Sequence, residues 1–142
     1  SNADGMSAWG MLAVGAPGHV VEWSRARVEA FEGKLGGDTG LRGRFLFAGM
    51  AGLGRLNPAE ISELAKSWEI SIERQTPWSR ALDRAVAARE PATVALLCAL
   101  GLGGSDWSTV SPAHLYRVVS ALNAVGMGPE ARMIAAEALT RS

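Results

Sequence analysis

The sequence predicts an all-α fold of about eight short helices packed as helical hairpins. Three observations support this prediction. Apolar residues recur at intervals of three and four along most of the chain, which is the spacing of one face of an α-helix. Prolines follow Asn, Thr, Ser or Gly at four places, and proline suits the first turn of a helix. Glycines follow the apolar stretches, where a residue with positive φ can end a helix.

Eight helices are expected in chain order, and most of them carry a single apolar stripe. Their predicted ranges are 6–14, 18–34, 40–53, 58–69, 77–89, 91–102, 112–126 and 129–140. Asp38 is the expected cap of the third helix, and Asn57 with Glu60 forms a capping pattern at the start of the fourth. The stretches 41–53 and 92–102 are apolar on nearly every side, which predicts that these two helices are the most buried.

A faint internal repeat suggests that the hairpins form a short α-solenoid-like array. An apolar helix, a glycine stop and a capped Pro-Ala start occur at 51–61 and again at 100–115. Two stacked helical hairpins would explain the likeness, and so would chance, since Pro and Gly favour these positions in any helical protein.

The C-terminal part of the chain resembles a known class of helical repeats. The last helix has a seam of small residues at Ala131, Ala135 and Ala138. The stretch from Leu115 to Leu139 thereby resembles tetratricopeptide and Sel1-like arrays, although it lacks their period of about 34 residues. The resemblance covers about a fifth of the chain, and by analogy it implies a protein-binding scaffold.

The amino-acid composition limits the classes of partner that this protein is expected to bind. Fourteen basic and fourteen acidic residues cancel, and the sequence has no dense run of Arg and Lys, which argues against a nucleic-acid partner. No apolar run reaches the roughly 18 residues that would predict a membrane span. We therefore expect a protein partner, with a homo-oligomer left open.

The first residues bear on domain organisation. Ser1-Asn2-Ala3 has the look of a scar left by removal of a purification tag, and Asp4 rather than Met follows it. We expect 4–142 to be one α-helical domain of a longer protein. The cellular compartment is not predicted, and cytoplasm and periplasm both stay open.

The motifs that could carry chemistry favour structural interpretations. Asp38-Thr39-Gly40 matches the aspartic-protease triplet, but one copy in a helical context lacks the second carboxylate. Cys98 lies in an apolar run and is expected to be a buried core residue. His19 and Glu22 are two ligands where a metal site needs three or four. We therefore expect no catalytic residue, no metal site and no cofactor.

One candidate interaction surface comes from the loop before the seventh helix. Trp107 lies in a polar loop outside any apolar stripe, and His114 and Arg117 are one turn apart on the following helix. These three residues could form a binding surface with Trp107 as its aromatic anchor. Alternatively, Trp107 is a lid over the edge of the core.

Two functions are weighed on these grounds. The first is a non-catalytic scaffold or protein–protein interaction domain, which a broad groove with exposed aromatics would favour. The alternative is an accessory or small-ligand-binding helical domain of an enzyme. A pocket lined by convergent polar groups would favour that alternative.

Overall fold

The computed structural model describes residues 2–17, 40–104 and 106–141, and over these ranges it contains seven α-helices and no strand. The helices are α1 (Asn2–Gly15), α2 (Leu41–Gly52), α3 (Pro58–Ser67), α4 (Pro77–Ala87), α5 (Pro91–Leu102), α6 (Pro112–Ala124) and α7 (Gly128–Arg141). The all-α prediction is confirmed. The predicted helix at 18–34 lies outside the described residues, whereas the single 3₁₀ turn at Trp107–Thr109 was not predicted.

Capping side chains begin three of these helices as predicted. Asn57 Oδ1 accepts from the Glu60 N–H at 2.9 Å, and Glu60 Oε2 accepts from the Asn57 N–H at 3.0 Å. Thr76 and Ser79 form the same reciprocal box at the start of α4, whereas Ser111 caps α6 only by accepting from the His114 N–H. Helix α2 differs, because it begins after Gly40 at φ 59° with no side-chain cap. The predicted cap Asp38 lies outside the described residues.

Helix α2 is the centre of the core, as its all-round apolar sequence predicted. Nine of its twelve residues are buried, among them Phe45 and Phe47. It packs against α1, α6 and α7. A Cβ added at Gly52 would lie 2.8 Å from Val119 Cβ on α6, so this glycine permits the close approach of the two helices.

Helix α5 was expected to be equally buried, and that prediction is wrong. Only Val94 and Cys98 are buried along it, while Leu96 is 62% and Leu100 67% exposed. Among the described helices, α5 packs mainly against α4 and α6, and this packing leaves Leu96 and Leu100 uncovered. A helix that is apolar all round does not indicate which of its faces a neighbour will cover.

The remaining contacts join both consecutive and distant helices, since α1 packs against α7 and α4 against α6. Helices α4 and α5 pack against each other, as do α6 and α7, which agrees with the predicted hairpins. Arg55 donates to the carbonyl oxygens of Ala13 and Ala16 and so binds the C-terminal end of α1. Of the helices described, none combines the length and the apolar character needed to cross a membrane.

Candidate binding cleft

An open cleft of about 490 Å³ lies where the C-terminal end of α3 meets the N-terminal ends of α4 and α6. The segment between α3 and α4 forms part of its wall, and we call it the α4–α6 cleft. Its lining residues are Arg44, Trp68, Glu69, Ile70, Ser71, Arg74, Thr76, Trp78, Ser79, Ser111, Pro112, Ala113, His114 and Arg117.

A stacked pair of rings, Trp78 and His114, contributes to the wall of the cleft. Their ring centroids are 4.3 Å apart and their planes differ by 20°. Trp78 Nε1 donates to the Leu97 carbonyl at 2.8 Å, and His114 Nε2 lies 2.7 Å from the Gly101 carbonyl. Because a carbonyl oxygen only accepts, His114 must carry a proton on Nε2 in this arrangement. The two bonds tie α4 and α6 to the backbone of α5.

Gly101 is what allows the indole of Trp78 to lie so close to α5. A Cβ built on Gly101 would be 2.4 Å from Cζ2 and 2.6 Å from Cε2 of Trp78. Carbon atoms in contact stay about 3.5–4.0 Å apart. The position therefore excludes any side chain while the indole keeps this place.

Arg117 fixes the segment between α3 and α4 to the side of α6. Its Nη2 donates to the carbonyls of Ile72 and Arg74, both at 3.0 Å. Its Nη1 is 3.8 Å from the Asp83 carboxylate, and the Arg117 side chain is only 13% exposed. Arg117 therefore brings positive charge to the cleft, but Nη2 is already committed to the backbone.

Trp68 and Arg74 complete the cleft. Trp68 meets Phe47 edge to face, with ring centroids 5.7 Å apart, and this contact anchors it to the central helix. Arg74 is exposed, and its guanidinium has no hydrogen bond or ion pair with any described residue. In the part of the chain that the structure describes, Glu69 is the one acidic residue that lines the cleft, against three arginines.

The three residues of the predicted surface are only partly brought together. His114 and Arg117 line the cleft, but the tryptophan beside His114 is Trp78. Trp107 is half-buried and packs edge to face on Phe45, with ring centroids 6.2 Å apart. Asp106, which precedes Trp107, accepts hydrogen bonds from the Ser108 hydroxyl at 2.6 Å and from the Ser108 N–H at 2.9 Å. These two bonds hold the turn and lower the pKa of Asp106. This packing is that of a lid over the core edge.

Sequence reasoning missed Trp68, Trp78 and Arg74 as cleft residues. Both tryptophans lie on apolar stripes, a pattern that predicts core residues, and both are half-buried against the core. One signal was present in the sequence. Trp78 and His114 each fall in the first turn of a helix that a capped proline begins, and such turns expose their side chains at a helix end.

Two observations on the described residues concern metal binding and the reactivity of Cys98. Among them, no group of three or more His, Cys, Asp or Glu lies close enough to hold a metal ion. Cys98 is buried as predicted, and burial raises the pKa of its thiol to about 11. An activated cysteine nucleophile requires the opposite shift.

Comparisons of the chain with protein-family models, with curated proteins and with solved structures find no match. The resemblance of 115–139 to tetratricopeptide and Sel1-like arrays therefore stays an expectation. What the cleft can do follows from its own side chains, which offer two indoles, three guanidinium groups and several hydroxyls.

Proposed function

We propose that this protein is a non-catalytic helical interaction domain that binds a segment of a partner protein in the α4–α6 cleft. The observation that carries the proposal is the convergence of two tryptophans and three arginines on one open cleft. Trp and Arg are the residues that most often dominate the binding energy of protein interfaces.

The rigidity of the cleft supports the same function. Trp78 and His114 are held by carbonyls of α5, and Arg117 is held by carbonyls of the neighbouring segment. Ordering a free side chain on binding costs about 0.5–1.5 kcal/mol. Side chains that are already ordered avoid most of this cost, so a partner segment meets a prepared surface.

A second candidate is an accessory domain that binds a small ligand. The cleft volume of about 490 Å³ falls within the range of about 300–1,000 Å³ that is usual for small-molecule sites. Hydroxyls of Thr76, Ser79 and Ser111 lie along the lining and could orient a polar ligand. Thr76 and Ser111 already act as helix caps, however, which reduces what they can offer.

The test is a selection of binders from a random peptide library on the wild-type protein, followed by affinity measurements on two variants. Ala113→Phe places a ring in the cleft at the second residue of α6. Ala59→Phe is the matched control, because Ala59 is exposed at the second residue of α3 and also follows a proline.

We expect the selected peptides to lose at least about tenfold in affinity, or about 1.4 kcal/mol, on Ala113→Phe and to keep it on Ala59→Phe. Equal binding to all three proteins would place the interaction outside the cleft and contradict the proposal. Tight binding of small organic molecules with no peptide selected would instead favour the second candidate.

A further inference from the structure

We infer that the α4–α6 cleft selects acidic peptide segments and that Arg74 is the residue that binds their carboxylates. The inference rests on the proposed function and adds the chemistry of the occupant. Trp68 and Trp78 would contact the apolar parts of the same segment.

The positive character of the cleft is a local feature of the fold. The whole chain has a formal net charge of zero, and its arginines are scattered along the sequence. Folding nevertheless brings Arg44, Arg74 and Arg117 from three separate elements to one cleft, and among the described lining residues Glu69 alone is acidic. A cleft lined by one sign of charge attracts ligands of the opposite sign.

Arg74 is the guanidinium best placed to form new bonds. Arg117 already donates to two carbonyls, and Arg44 already has an interaction within the protein. Arg74 has neither kind of commitment among the described residues, and it is exposed. A free guanidinium can bind a carboxylate through two parallel hydrogen bonds, which adds geometric specificity to the attraction.

Carboxylates of a peptide fit this cleft better than a nucleic acid does. Nucleic-acid binding needs several phosphate contacts along an extended basic surface, whereas the described lining offers three guanidinium groups, of which Arg44 and Arg117 already have interactions within the protein. Three guanidinium groups beside two indoles suit a short segment in which acidic and apolar side chains alternate. The first turns of α4 and α6 also lie at the cleft, and their partial positive charge acts in the same direction.

The experiment uses three acetylated and amidated hexapeptides that alternate Phe with Glu, Gln or Lys. Binding to the full chain is followed in ¹⁵N NMR titrations through the indole N–H signals of Trp68 and Trp78. We expect the Glu peptide to bind at least about tenfold more tightly than the Gln peptide, and the Lys peptide to bind most weakly. Added salt should weaken the Glu peptide most, because exposed charges are screened over about 10 Å at 0.1 M.

Two variants test whether Arg74 is the residue that gives the cleft its preference for acidic peptides. Arg74→Gln should reduce the affinity of the Glu peptide at least about fivefold and leave that of the Gln peptide unchanged. Arg84→Gln is the matched control, because Arg84 is exposed on α4 and lies outside the cleft lining. It should leave all three affinities near those of the wild type.

Three outcomes would overturn the inference in distinguishable ways. Equal affinity for the three peptides at the cleft would refute selection by charge and leave the peptide-binding function standing. The tightest binding by the Lys peptide, or by a phosphoserine peptide that binds where the Glu peptide does not, would refute the choice of carboxylates. Failure of all three peptides would refute the inference, while the library selection would still decide the proposed function independently.

Discussion

The close approach of Trp78 to Gly101 allows a direct test of how α5 is held against α4. Replacing Gly101 by Ala adds one methyl group, which would lie 2.4 Å from Trp78 Cζ2. The indole cannot yield by rotating a flexible end, since its Nε1 is bonded to Leu97 and its face is stacked on His114. The ring as a whole must therefore move, and its hydrogen bond to the Leu97 carbonyl must lengthen or break.

The expected change in the free energy of unfolding combines one stabilising and two destabilising contributions. Alanine is favoured over glycine by about 1 kcal/mol within a helix, and less than this applies near the end of α5. Overpacking costs about 1–3 kcal/mol, and loss of the Trp78–Leu97 hydrogen bond adds about 1 kcal/mol. We expect Gly101→Ala to lower the free energy of unfolding by about 2 kcal/mol.

Urea denaturation followed by far-ultraviolet circular dichroism measures this change. Gly15→Ala is the control, because its added methyl would lie 3.8 Å from Ala136 Cβ, an ordinary contact, and should leave stability unchanged or slightly higher. In a Trp78→Ala background the Gly101→Ala change should no longer destabilise, since the ring that it meets is gone. If Gly101→Ala is as stable as the wild type when Trp78 is present, the result contradicts the close packing of Trp78 on α5.

Two further predictions concern Trp107 and Cys98. Trp107→Ala should cost about 1–3 kcal/mol, less than the 3–5 kcal/mol of a fully buried tryptophan, because Trp107 is half-buried against Phe45. The affinity of peptides selected on the wild type should not change; a tenfold loss of affinity at wild-type stability would show that Trp107 is a binding anchor. Burial raises the Cys98 pKa from 9.0 to about 11, so the unfolded chain loses this proton first and the thiol's contribution to stability falls as pH rises through that window. The urea midpoint should therefore drop more between pH 9 and 11 in the wild type than in Cys98→Ala, and parallel curves would contradict the prediction.

Helix ends were predictable because they depend on residues that are neighbours in the sequence. Asn57 with Glu60 forms its capping box from a four-residue pattern, and Ser111 caps α6 in a similar way. The burial of α2 agrees with its all-round apolar sequence, but the same pattern led to a wrong prediction for α5. Gly40 shows the limit of this reasoning, because a left-handed glycine replaces a side-chain cap at the start of α2.

The exposed face of α5 and the composition of the cleft could not be predicted in the same way. Both depend on which elements lie side by side, and a single helical period carries no information about that. Leu100 lies in a more apolar helix than Phe47 does, yet Leu100 is exposed and Phe47 is fully buried. Likewise, Arg74 and Arg117 are far apart in the sequence, and the fold brings them together so that Arg117 donates to the carbonyl of Arg74.

The attachment of α5 and the shape of the cleft depend on the same two side chains. Helix α5 buries only Val94 and Cys98, so the bonds from Trp78 and His114 to its carbonyls are a large part of what holds it. Substitution of either ring would therefore change the fold and the cleft at once, and a loss of binding would not reveal which had failed. Arg74 forms no side-chain bond to the described fold, and Ala113 contributes only a methyl group to the cleft. Changes at Arg74 and Ala113 can therefore separate recognition by the cleft from the stability of its walls.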